Sequence, residues 1–266
     1  IGYSRMSSRR INYFNRYSRK LEEESVAGDA SLKWTYGTSL GRFTLWAIVR
    51  HAFISKIFGF FASTRISRGW VEGFISKYDM AMSEFIKPIE GFASFNDFFT
   101  RGLYEGVRPI YGLENYAVFP ADARHMLFER VDKVKDFYIK GQKIDLDKLL
   151  GSAERADRYR EGSLLVSRLC PVDYHRFHFP VAGVPSRAER IRGSLYSVNP
   201  IALKLIPGVF WQNARSLTKI ESGSCGTVTM IEVGATFVGS IKQTYKPEAK
   251  VEKGDRRFND EDWQDN

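Results

Sequence analysis

Two of the chain's four histidines, His175 and His178, stand three residues apart in Arg168-Leu-Cys-Pro-Val-Asp-Tyr-His-Arg-Phe-His-Phe-Pro-Val-Ala-Gly183. Imidazole titrates near neutral pH, so it is the side chain best suited to carry a proton under physiological conditions. Beside Asp173, such a pair reads as a metal site, an acid/base pair or two structural imidazoles. Metal is the weakest of the three. There is no HExxH, Cys170 and Cys225 form no CxxC, and zinc normally takes three or more protein ligands. Acid/base chemistry and structural hydrogen bonding both stay open for the isolated pair. A second signal is Val118-Phe-Pro-Ala-Asp122-Ala-Arg124. A carboxylate at a strand end can orient an imidazole and stabilise its charged form, although most such aspartates only cap turns. A third is Ile231-Glu-Val-Gly-Ala-Thr-Phe-Val-Gly-Ser-Ile241, which reads as strand, close approach and strand, or as a plain sheet bend.

These groups need a packed scaffold, and 266 residues suit one large domain or a catalytic domain with an appendage. A content of 14% aromatic residues argues against a disordered chain. From Val118 onward, short apolar runs (118–119, 137–139, 164–166) alternate with turn residues, and 227–233 alternates with period two. A short helix is expected at 145–150. The pattern from Ser240 to Asp255 resembles the strands and turns of small barrel-sandwich domains. No βαβ alternation is present, which disfavours a doubly wound fold.

Upstream of Pro109 the chain reads as mostly helical. Residues 43–61 put Trp46, Val49, Phe53, Ile57 and Phe60 on one broad apolar arc, with Thr44, His51 and Ser55 opposite. Arg50, His51 and Lys56 interrupt it too soon for a bilayer span, leaving a core helix or one lying in a membrane interface. A second helix is expected over 68–86 and a third after Ser94 or Asn96 as N-cap. The expected class is α+β: a helical, basic, membrane-associating region at 1–109, a β-rich catalytic domain with barrel-sandwich-like strands at 110–255, and an acidic tail at 256–266.

The net charge of +9 is concentrated at the N-terminal side: residues 1–20 and 42–68 carry eleven Lys and Arg and no acid. Such a field attracts anionic lipid or phosphate backbones, or simply solubilises a face. Nucleic acid is disfavoured as a partner, since no recognition motif accompanies the charge. The two cysteines read as buried thiols of a reducing compartment. A chain starting at Ile1 reads as a fragment or a processed product, with no signal peptide in view.

Taken in order, Phe95-Asn-Asp-Phe-Phe-Thr-Arg101, Val107-Arg-Pro-Ile110, Pro120-Ala-Asp122, Pro171-Val-Asp-Tyr-His-Arg-Phe-His-Phe-Pro180, Gly193-Ser-Leu-Tyr-Ser-Val-Asn-Pro200 and Val233-Gly-Ala-Thr-Phe-Val-Gly-Ser-Ile241 closely resemble the phosphatidylserine decarboxylase family. The stretches Tyr13-Phe-Asn-Arg16 and Leu32-Lys-Trp-Thr-Tyr36 are similar to its bacterial branch with an N-terminal extension. The resemblance spans roughly residues 10–255.

It implies conversion of phosphatidylserine to phosphatidylethanolamine and CO2, at the cytoplasmic side of a bacterial cell membrane, by a peripheral enzyme. The implied cofactor is a covalent pyruvoyl group made from an internal serine, a ketone that condenses with the substrate amine. Implied partners are an anionic membrane surface, a small pyruvoyl subunit and further copies of the chain. By resemblance, Asp122 is the relay aspartate and His178 the base for self-cleavage, while His175 handles the substrate and its reprotonation. Tyr174 and Arg176 would fix the loop; His125, extra to the family pattern, reads as structural, and His51 as a packing or interface residue of the amphipathic helix.

After Asp255 the resemblance stops. The family continues to Gly-Ser-Thr, whereas Arg256–Asn266 holds no glycine and no serine. Ser240 follows a glycine but belongs to a separate motif. The expectation is therefore a truncated, frame-shifted or divergent end unable to make the pyruvoyl group. The alternative it motivates is a catalytically dead lipid-binding relative.

Overall fold

The computed structural model describes residues 12–16, 18–23, 38, 52–112, 115–135, 137, 143–238 and 241–255. The fold is mixed α and β with open antiparallel sheets. It opens, against expectation, with a hairpin of β1 (Asn12–Asn15) and β2 (Lys20–Glu23). Its inner side is knitted to one carboxylate, since Tyr13, Asn15 and Ser18 all donate to Glu22. Those bonds hold Glu22 below the usual carboxylate range.

Helix α1 runs over Ala52–Ala62, so Thr44, Trp46, Val49 and His51 lie outside the described residues, as does the side chain of Phe53. Its orientation reverses the sequence reading. Ser55, assigned to the polar strip, is buried and accepts from the backbone N–H of Phe237 at 3.2 Å. Phe58 packs on the Phe237 ring at 4.4 Å. Phe60 and Phe61 point outward, 69% and 57% exposed. Helix α2 (Gly69–Tyr78) buries Val71 and Ile75, one turn apart. It is shorter than expected because Asp79 takes the left-handed conformation at φ 49° and ends it. Helix α3 (Phe95–Phe99) starts as expected at Ser94, whose hydroxyl accepts from Asp97 N.

The later half supplies β3 (Arg124–Phe128) paired with β4 (Leu164–Arg168). Helix α4 (Leu146–Leu150) is capped by Asp145, and α5 (Ala153–Asp157) follows it. The four-stranded sheet has β7 (Arg215–Ser222) bonded to β5 (Val184–Pro185) and β6 (Glu189–Ile191) along one edge and β8 (Gly226–Val233) along the other. Helices α6 (Pro200–Leu205) and α7 (Val209–Gln212) precede β7.

Three expected features are corrected. Residues 118–119 form no strand. The Ile231–Ile241 motif does not cross into a second strand within the described residues; it closes a tight turn where Ala235 and Val238 bridge, with Phe237 at φ 66°. Among the described residues of 240–255 there is only an isolated bridge, Val251 to Gly183, in place of barrel-sandwich strands. This stretch instead runs as a strap across the sheet, with Tyr245 donating to Ser186 O. Of the two thiols, Cys170 is buried and Cys225 is only partly so, and neither forms a disulfide among the described residues.

Three apolar clusters hold the elements together. The first joins Val71, Ile75, Phe85, Phe92, Phe98 and Leu103 to Tyr174 of the histidine segment. The helical part therefore packs directly on the histidine segment. The second lies between α4, α5 and β7, and the third joins Phe179, Val181, Ile220 and Val251.

Candidate active site

Asp122 and His178 are brought together by backbone pairing. Val118 N donates to Pro180 O and His178 N to Pro120 O, both at 2.9 Å, so 118–120 and 178–180 lie antiparallel. On the other side of the histidine segment, Phe179 N donates to Asp255 O and Gly254 N to Phe179 O. Gly254 has φ +88°, and a Cβ there would stand 2.6 Å from Ile110, so the close approach needs glycine. The result is a pocket of about 320 Å³ whose wall includes Arg108, Asp122, Tyr174, Arg176, His178 and Gly254. A wider depression of about 420 Å³ lies at Lys143–Lys148, Arg160 and Trp211. Its Asp145 and Asp147 are already paired with Lys148 and Arg160, and it holds no histidine. The smaller pocket, which Asp122 and His178 both line, is the candidate site.

Within it, Asp122 Oδ2 accepts from Arg108 Nε at 2.7 Å. The expected aspartate and histidine thus share a wall, with an arginine on the carboxylate that the sequence reading quoted inside a motif but gave no role. His125 behaves as structural: its Nδ1 lies 2.9 Å from Ser167 Oγ and its ring stacks on Phe119 at 4.0 Å. Burial holds it below the ordinary histidine value, against the pull of Asp122.

His175 is not part of that wall. Its ring packs on Phe99 at a centroid distance of 4.0 Å, and its Nδ1 donates to the carbonyl of Asp173 at 2.8 Å. A carbonyl only accepts, so Nδ1 carries the proton and Nε2 of the neutral ring is a base. Burial pushes its pKa down to about 4, outweighing the Asp173 bond, and Arg101 lowers it further. His175 is therefore neutral at pH 7, with Nε2 left as a hydrogen-bond acceptor. The folded state therefore binds fewer protons than the unfolded one between pH 6.5 and about 4. Stability drawn from neutral His175 is complete above that window and is lost as pH falls through it. Denaturant midpoints measured from pH 7 to 4 should decline, and His175→Gln should flatten the decline.

Two buried guanidiniums, one from each side, tie the histidine segment to the residues that follow α3. Arg101, 4% exposed, donates through Nη2 to Val172 O at 2.8 Å and Asp173 O at 3.2 Å. Its guanidinium lies over the rings of Phe85 and Phe98 at 4.9 and 5.2 Å. Arg176 donates through Nε to Thr100 O, as its expected loop-fixing role requires. Tyr174 anchors the same loop in the first cluster. At the base of the loop, Asp173 accepts from Cys170 N and faces Arg124 at 3.7 Å. Arg124 in turn stacks on Tyr13 of the hairpin at 3.9 Å. The hydrogen bonds of Arg101 reach 71 and 72 positions along the chain, and Arg124 meets Asp173 and Tyr13, so local spacing announces none of these contacts.

The remaining expected motifs are tied together away from this pocket. Asn213, fully buried, accepts from Tyr196 N and donates to Tyr196 O and Gly234 O. It thereby joins the Gly193–Pro200 and Val233–Ile241 motifs. Gly193 lies so close that a Cβ would stand 2.4 Å from Gln212 O.

A family model described as phosphatidylserine decarboxylase matches residues 95–257. Relatives named phosphatidylserine decarboxylase proenzyme include one from Clostridium kluyveri, 40% identical over 93% of this chain and 83% of its own length. One from Clostridium beijerinckii is 41% identical with the same coverage. One from Fusobacterium nucleatum is 37% identical over 95% of this chain and 84% of its own length.

Proposed function

The chain belongs to the phosphatidylserine decarboxylase family, and from that premise we propose how its own residues serve the reaction. The enzyme is a carboxy-lyase that releases the serine carboxylate of phosphatidylserine as CO2 and leaves phosphatidylethanolamine. The relatives' shared name gives a catalytically dead lipid-binding relative no advantage as a reading. Residues 256–266, on which the reading of a divergent tail rested, lie outside the described residues.

The family is pyruvoyl-dependent, and the donor set of the pocket suits that group. An imidazole and a carboxylate line the pocket together with Gly254, one residue before Asp255. Once formed, a pyruvoyl group supplies an electrophilic carbonyl that withdraws electrons from the substrate. What this chain's residues contribute is proton transfer. His178 takes the proton of the serine hydroxyl that attacks the preceding carbonyl, and Asp122 stabilises the imidazolium that results. His175, held by Asp173 and Phe99, serves substrate handling and the reprotonation that follows loss of CO2. The observation that carries this reading is the pairing of 118–120 with 178–180, which puts Asp122 and His178 on one pocket wall. Its experiment is cleavage of the proenzyme carrying the family's Gly-Ser-Thr segment, followed by CO2 release from carboxyl-labelled phosphatidylserine.

No helix among the described residues is long and apolar enough to cross a membrane. The proposed lipid contact is the outward side of α1 and the turn after it. Phe60, Phe61 and Ile66 are exposed there, with Lys56 and Arg65 beside them. Apolar residues next to cations suit an interface containing anionic lipid. Replacing Phe60, Phe61 and Ile66 together with Ser should weaken binding to phosphatidylserine vesicles about 100-fold, taking about 1 kcal/mol from each partly inserted side chain. Cosedimentation measures this, and undiminished binding would move the membrane contact elsewhere.

A further inference from the structure

Arg108 stands where the pocket meets the helical part of the chain, and its three nitrogens are all engaged. Nε donates to Asp122 Oδ2 at 2.7 Å, Nη2 to Glu84 Oε2 at 3.1 Å and Nη1 to the carbonyl of Val107 at 3.1 Å. Glu84 closes the 3-10 turn Met82–Glu84, and its carbonyl accepts from Tyr104 N at 3.0 Å. The guanidinium is therefore held by a segment that does not belong to the histidine loop. The arginine holds Asp122 through one carboxylate oxygen, Oδ2, which fixes how the group sits in the pocket that His178 also lines.

We propose that Arg108 is a positioning residue for self-cleavage: it fixes the Asp122 carboxylate in one orientation and offsets part of its charge, so that His178 meets a single oriented oxygen and stays an unprotonated base at neutral pH. The proposal rests on the reading of Asp122 and His178 as the proton relay. Its sign follows from electrostatics. An uncompensated carboxylate beside an imidazole favours the imidazolium, which has no lone pair left to accept a hydroxyl proton. Asp122 also feels Arg101, Asp173 and His125, and the pocket adds Glu105 and Arg176. Among these, Arg108 is the cation in the 2.7 Å contact.

Two readouts test it. In the 266-residue chain, NMR titration should find His178 of Arg108→Gln protonating about one pH unit higher than in the parent. Arg108→Lys, which keeps the charge, should return it to the parental value. In the proenzyme carrying the Gly-Ser-Thr segment, Arg108→Gln should cleave about 100-fold more slowly at pH 7, the cost expected of a misaligned relay. Its rate should recover as pH rises, and Arg108→Lys should regain at least about a tenth of the parental rate. Parental cleavage by Arg108→Gln would overturn the proposal. So would equal slowing in both variants with an unmoved His178 titration, which marks a role in folding alone. If Asp122→Asn cleaved normally, the relay itself would be wrong. If Asp122→Asn were dead and Arg108→Gln normal, only the role of Arg108 would fall.

Discussion

Asp122→Asn and His178→Gln should each leave the proenzyme carrying the Gly-Ser-Thr segment uncut, slowing cleavage by about 10³-fold. General base catalysis contributes on the order of 10²–10⁴ in rate. Losing the carboxylate charge also removes the stabilisation of the imidazolium and the reason for one ring orientation. Neither change removes packing that the fold depends on, because both side chains line the pocket and neither belongs to a core cluster. Thermal midpoints of both variants should therefore stay close to the parent while cleavage, followed as two bands on a denaturing gel, is lost. A variant that cleaves at the parental rate would dissolve the relay.

The second large effect concerns stability. Asn213→Ala should cost about 3 kcal/mol or more and lower the melting temperature by about 10 °C. The amide is fully buried and holds three backbone groups, Tyr196 N, Tyr196 O and Gly234 O. Alanine leaves all three short of a partner where water has poor access, which costs far more than the bonds themselves contribute. Arg215 next to it works in the same way, donating to the carbonyls of Leu149, Trp211, Asn213 and Lys148 without a carboxylate. Calorimetry on the variant checks the expectation. A melting point within a few degrees of the parent would show that the two motifs do not need this cross-link.

What the sequence made legible, and what it hid, follows from the range of the interactions. Asp122 and His178 announce themselves through short motifs dense in Pro, His and Asp, and the structure puts them on one wall. Ser94 is legible because an N-cap acts on an amide three residues away. By contrast, Arg108 meets Glu84 and Asp122, 24 and 14 positions off, and nothing local marks either contact. Periodicity misplaced Ser55 because amphipathic spacing says which residues share a face, not which face meets the core. Here a backbone amide of the 235–238 turn draws the hydroxyl inward. Strands were expected across 240–255 from a strand-and-turn pattern like that of small barrel-sandwich domains. That stretch is instead held by side chains such as Tyr245 and Gln243, the latter donating to Ser216 and Glu232.

Chemical rescue asks most directly whether the ring at position 178 is the base that starts the backbone cut. His178→Gly should be inert in the proenzyme carrying the Gly-Ser-Thr segment, and millimolar imidazole should restore cleavage at the native site, seen as two new masses. Cleavage of His178→Gly without imidazole, at the parental rate, would mean that another group does the work.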